Sequence, residues 1–138
     1  DNFLIKDTIS ISVDGDNASK IYILLRDAVG DNKDNFPKYK LAVNSTKNES
    51  ALVIKKDATA SKYNIEYTLK YDLINLYKNC KTFHKEITTT STYNVESGGY
   101  SFGTDLSKEE SNAQNINKNI NEFLFALNVA SSIDSCNE

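Results

Sequence analysis

Apolar and polar residues alternate through KYNIEYTLKYDL, with Tyr63, Ile65, Tyr67, Leu69, Tyr71 and Leu73 on one side and Asn64, Glu66, Thr68, Lys70 and Asp72 on the other. A period of two over such a run predicts a β-strand with one buried face. The same period recurs in TISISV, where Ile9, Ile11 and Val13 share a side. It recurs in YKLAV, with Tyr39, Leu41 and Val43 together, and in the Thr-rich TFHKEITTTSTYNV, with Phe83, Ile87, Tyr93 and Val95 together. ALVIKKD resumes the YKLAV strand after the polar NSTKNES, but Leu52 and Ile54 break the parity of Tyr39 to Val53. A bulge or short loop near Asn48 would account for the change.

Two segments follow the helical period instead. SKIYILLRDAVG spaces Ile21, Leu24, Leu25, Ala28 and Val29 by threes and fours, with Asp16 or Asn17 as N-cap and Gly30 as the stop. SKEESNAQNINKNINEFLFALNVA places Ala113, Ile116, Ile120, Phe123 or Leu124, and Leu127 on one stripe, and Ser107 with Glu110 forms a capping-box pattern at its start. ESGGYSFGTD reads as a Gly-rich connection and DNKDNFPK as a loop.

The order is therefore β-α-β-β-β-α, an α+β domain. The pattern predicts a four-stranded, mostly antiparallel sheet with both helices packed on one face. The three tyrosines of the longest strand are expected to face the helices with their hydroxyls at the rim of the layer. The other face, carrying Thr, Asn, Glu and Lys, is left to water or a wet partner. Residues 1–138 form a single domain in this reading, with 131–138 as a frayed tail.

Composition narrows the function classes. A chain of 138 residues buries enough surface for a core without staples. The net charge of −3 argues against a nucleic-acid binder working by bulk charge. No segment approaches the roughly 18 apolar residues of a membrane span, so a soluble domain is expected. There is no Met in the sequence, so the chain is expected to be processed or trimmed ahead of Asp1. Cys80 and Cys136 are compatible with one disulfide and equally with two free thiols.

Candidate chemistry is sparse. His84 on a polar strand face, beside Lys85 and Glu86, could act as a general base, but an isolated exposed strand histidine is the commoner case. Cys80 lies between Lys78 and Lys81 in a turn without a second histidine to activate it. DGDN at Asp14–Asn17 opens like a calcium loop but lacks the Gly and closing Glu that such a loop needs. One His cannot complete a zinc set with two cysteines, and the Gly-rich segment has neither GxGxxG nor a following Lys. These residues point to a binding module with no catalytic residue, no metal and no cofactor.

Three pieces of the chain carry a family likeness: ISVDGDNASKIYILLRDAV, ALVIKKDATASKYNIEYTLKY, and the long C-terminal helix opening LSKEESNAQNINKNI. In order and patterning they resemble the outer-membrane lipopolysaccharide-assembly lipoprotein family (LptE, also called RlpB). The chain departs from that pattern in lacking the lipidated Cys at its start and in carrying Asn at several helix positions where Ala is expected. The resemblance implies a non-enzymatic protein, lipid-anchored on the periplasmic side of the outer membrane. It further implies a plug inside an LptD-type β-barrel that delivers and inserts lipopolysaccharide. Lipid A phosphates need cations, and the topology gathers Lys55, Lys56 and Lys62 at one end of the sheet, with Lys108 entering the second helix nearby; these four are the candidate lipopolysaccharide contacts. Lys78 and Lys81 gather at the other end. The rival expectation is a stand-alone extracytoplasmic, cystatin-like domain that binds a peptide or small ligand.

Overall fold

A computed structural model describes residues 7–32, 36–57, 60–95, 102–130 and 133–136. The order is β1 (Ile9–Gly15), α1 (Ala18–Val29), β2 (Tyr39–Ile54), β3 (Ala60–Asn75), β4 (Cys80–Asn94) and α2 (Phe102–Asn128). The four strands form one sheet in the order β1-β2-β3-β4. β1 runs parallel to β2, as a strand returning through a helical crossover must be able to do, while β2–β3 and β3–β4 are antiparallel hairpins. The α+β class and the β-α-β-β-β-α order read from the sequence are those of the structure.

The alternation of β3 holds throughout its core. Ile65, Tyr67, Leu69, Tyr71 and Leu73 are all fully buried, and so are Leu41 of β2, Ile9 of β1, Ile21, Leu25 and Val29 of α1, and Ile116 and Phe123 of α2. These residues form one continuous cluster between the sheet and the helix layer. Phe123 stacks on Tyr71 at 4.0 Å between ring centroids and meets Phe83 edge-on at 6.0 Å.

Gly15 marks a close approach between the first two strands. Its φ is 101°, and a Cβ there would lie 2.1 Å from the carbonyl oxygen of Ser45. Asp16 then turns the chain back onto β2: its amide donates to Ser45 O at 3.0 Å, and its carboxylate accepts from the amide of Lys47 at 2.7 Å. Asp14–Asn17 is thus a strand-to-helix corner.

Several local expectations are corrected. β2 is unbroken through Asn48, and its register shifts fall between Ala51 and Val53 and between Val53 and Ile54. The irregularity therefore sits four to five residues later than the polar run suggested, where the apolar parity itself breaks. Asn17 is the N-cap of α1, but it adopts a left-handed conformation and makes no side-chain cap bond; its amide donates to the hydroxyl of Tyr67 instead. α2 begins at Phe102 with Asp105 in its first turn, so Ser107 and Glu110 lie inside the helix and cap nothing. Of the Gly-rich connection, residues 96–101 lie outside the described residues.

Candidate functional site

Tyr67 sends its hydroxyl to the edge of the layer, as expected, where the exposed Asn17 donates to it, whereas Tyr71 keeps its hydroxyl inside. Tyr71 donates to Asn119 Oδ1 at 2.7 Å within the buried layer, and Tyr67 donates to Asn112 Oδ1 at 3.1 Å. Asn119 Nδ2 in turn donates to Ile87 O at 2.9 Å and Thr89 Oγ1 at 3.0 Å. Asn115 Nδ2 donates to Ile65 O and Ser91 Oγ, both at 3.0 Å, and its side-chain oxygen accepts from Thr89 at 2.6 Å. The asparagines that stand where Ala was expected are thus a buried amide ladder that fastens α2 to β3 and β4. Burial is the main cause that pushes the Tyr71 phenol well above its usual range, with the charge of Glu122 adding to it.

The opposite face of the sheet is polar, and among the described residues no helix covers it. Its rungs run straight across the strands: Thr46, Thr68 and Thr88 are in register, and so are Asp14, Asn44, Lys70 and Glu86. Thr68 and Thr88 hydroxyls lie 2.9 Å apart in a hydrogen bond. This face has the residue types that suit contact with water or a hydrated surface.

His84 belongs to that face. Its Nδ1 lies 2.5 Å from Asp72 Oδ1, and Lys81 Nζ lies 3.1 Å from the same oxygen. Burial would raise the Asp72 pKa, but the hydrogen bonds from His84 and Lys81 outweigh it and hold the carboxyl below its usual range. The arrangement is a hydrogen-bonded cluster on the exposed polar face of the sheet. Among the described residues, no group of three or more His, Cys, Asp and Glu side chains is placed to hold a metal ion.

The four candidate lysines do not converge on one face. Lys55 and Lys56 are exposed at the β2–β3 hairpin. Lys62 follows them on β3 with the parity of the polar face. Lys108 lies on the helix side, 3.6 Å from Glu49 Oε1 and 5.9 Å from the ring centroid of Tyr93. Lys47 also meets Glu49, at 3.7 Å, and Tyr93 donates to its carboxylate. Burial works to raise the Glu49 pKa, but the Tyr93 hydrogen bond and the two lysine charges lower it below the ordinary value. Lys108 therefore already has an acidic neighbour, whereas Lys55 and Lys56 stand clear on the surface. Beside them the sequence reading missed Leu52, Val53 and Ile54, which are 54%, 47% and 65% exposed. Their signal was the break in alternation.

At the other end of the sheet the C-terminal tail is docked where a frayed end was expected. Cys80 and Cys136 are joined by a disulfide with 5.7 Å between Cα atoms. Ile133 packs against the core cluster, Tyr39 donates to the Asp134 carboxylate, and Lys78 Nζ donates to Asp134 O at 2.6 Å. A further surface feature is an open groove of about 870 Å³ along the outer side of α2, with Phe125 and Val129 exposed in it and Lys85 and Lys118 beside them.

Comparison with known proteins finds this fold in solved bacterial structures. No family model matches the chain, and no curated protein does. Solved structures do match. A protein of Caulobacter crescentus is 12% identical with a TM-score of 0.67, covering 88% of each chain. A minor lipoprotein from Acinetobacter baumannii is 14% identical with a TM-score of 0.65, covering 90% of this chain and 92% of that one. The rare lipoprotein B from Shewanella oneidensis is 9% identical with a TM-score of 0.56, covering 85% of this chain and 95% of that one. At these identities the shared property is the fold. It extends over nearly the whole of each neighbour.

Proposed function

We infer that this chain is a non-enzymatic envelope lipoprotein of the lipopolysaccharide-assembly kind, the plug and partner of an LptD-type outer-membrane β-barrel. The observation that carries the reading is the fold shared along its length with the rare lipoprotein B of Shewanella oneidensis. The polar sheet face supports it, because the wet, polar lumen of a large barrel accepts Thr, Asn and paired charges without desolvating an apolar surface. No helix of the described residues is long and apolar enough to cross a membrane, so attachment in this reading comes from a lipid on the full-length protein, on the periplasmic side of the outer membrane. Lys55 and Lys56 are the cations best placed for lipid A phosphates; Lys62 approaches from the polar face, and Lys108 contributes only by leaving Glu49.

The experiment is purification of the tagged full-length protein from outer membranes in mild detergent, with crosslinking before lysis. Recovery with a large β-barrel in stoichiometric amount supports the reading. Recovery as a free monomer after crosslinking overturns it in favour of a stand-alone ligand-binding domain.

A further inference from the structure

The β2–β3 hairpin ends in a tip that the rest of the domain does not cover. β1 pairs with β2 only as far as Ser45, and β4 reaches β3 only to the level of Lys62, with the Val95 amide donating to Ser61 O at 3.0 Å. Beyond that level the ribbon has no lateral neighbour among the described residues. The register shifts on either side of Val53 take the strand out of strict alternation here. As a result Leu52, Val53 and Ile54 are all exposed, at 54%, 47% and 65%, instead of dividing between core and solvent. Three consecutive exposed aliphatic residues are a cost that a surface strand normally avoids. Lys55 and Lys56 follow at once, also exposed, and Val53 is paired with Lys62 across the ribbon. Asp57 is the one described acidic residue beside them, so the tip is locally positive on a chain whose net charge is −3.

We propose that this tip is a lipid-surface wedge: Leu52, Val53 and Ile54 enter the acyl boundary of an anionic bilayer while Lys55, Lys56 and Lys62 hold its phosphates. The shape selects a bilayer over a single soluble ligand, because the tip is convex and a small ligand needs a concave site. The charge selects an anionic surface, to which each nearby Lys adds about tenfold or less in affinity. The aliphatic run supplies the part that charge alone cannot, since apolar burial in the interface adds to electrostatic attraction. Negative charge elsewhere on the domain orients the tip, and not the body, toward such a surface. This site deepens the lysine contact of the proposed function by adding the aliphatic run, and vesicles that hold neither barrel nor lipopolysaccharide test it apart from the barrel-plug reading.

The test is cosedimentation of the 138-residue chain, without any lipid anchor, with vesicles of phosphatidylglycerol and phosphatidylcholine and with vesicles of phosphatidylcholine alone. Binding is expected to the anionic vesicles and to weaken at high salt. Leu52→Ser/Val53→Ser/Ile54→Ser and, separately, Lys55→Glu/Lys56→Glu should each lower binding roughly tenfold or more. Lys40→Glu/Lys85→Glu, two exposed lysines away from the tip, should leave it within about twofold, as a change outside the contact does. All five positions substituted in the serine and glutamate variants are exposed, so the core should stay intact, which thermal melting of each variant checks. No binding by the parent chain overturns the proposal, as does binding that the serine variant retains in full, since that is adsorption by charge alone. Equal loss from the Lys40/Lys85 variant overturns it as well.

Discussion

The hydroxyl of Tyr71 on β3 donates a 2.7 Å hydrogen bond to Asn119 Oδ1 on α2, and both side chains are buried. This is one of the short links in the amide ladder. Removing one partner strands the other in a dry layer, which costs about 1–3 kcal/mol for each unsatisfied group. Asn119→Ala should therefore destabilise by roughly 2–4 kcal/mol, because it also abandons Ile87 O and Thr89 Oγ1. Tyr71→Phe should cost less, about 1–3 kcal/mol. In a double-mutant cycle by urea unfolding, the pair should show a coupling above about 0.5 kcal/mol. Strict additivity would mean that the two groups do not meet in solution.

Leu69 and Ile120 test the apolar part of the same layer. Leu69 is fully buried and Ile120 is 3% exposed. Truncation of either to Ala should cost about 2–5 kcal/mol. Loss below roughly half a kcal/mol at both, measured from denaturant midpoints, would contradict their placement in the core.

The disulfide predicts a thiol count and a stability change. Unfolded, unreduced protein should show no titratable thiol, and two should appear after reduction. The bridge spans a sequence separation of 56, for which chain entropy gives a stabilisation of about 4 kcal/mol. Reduction should lower the melting temperature accordingly; two thiols before reduction would rule the bridge out.

Alkaline titration should separate the tyrosines. Burial foremost, with neighbouring acids adding to it, raises the pKa of Tyr39, Tyr67, Tyr71 and Tyr93 in the folded chain. A raised phenol pKa means the folded state binds its proton more tightly than the unfolded state does. The stability from these protons is complete below about pH 10, the unfolded value, and is lost as pH rises through the folded values. Phenolate absorbance should therefore fall short of the eight tyrosines until the fold melts, then complete together with loss of the far-ultraviolet signal. Full ionisation of all eight with the fold intact would contradict the buried hydrogen bonds.

How far the sequence reveals this molecule depends on whether a residue's role is set by its own strand or helix or by a partner far along the chain. The period of Tyr63 to Leu73 names the buried face of β3 by itself, because one element defines it. The roles of Asn115 and Asn119 are set by Thr89, Tyr71 and backbone carbonyls more than twenty residues away, and an isolated helix period assigns such amides to solvent. The capping box at Ser107 failed for a related reason: the pattern is local, but the helix had already begun at Phe102. Lys108 was legible as a cation and its Glu49 partner was not. The exposed Leu52–Ile54 run was visible as broken parity, yet read alone it suggested a defect in a strand and gave no sign that the hairpin outruns its neighbours.

The amide ladder also fixes where α2 sits. A stripe of aliphatic side chains can slide along a sheet by a fraction of a turn and repack at modest expense. An amide has to meet one particular hydroxyl, and three amides on successive turns have to do so together. Moving the helix by a single residue would put Asn112, Asn115 and Asn119 out of step with Tyr67, Thr89 and Tyr71 all at once. The longest helix of the fold is therefore indexed against the sheet like the teeth of a ratchet, with one setting that engages every tooth.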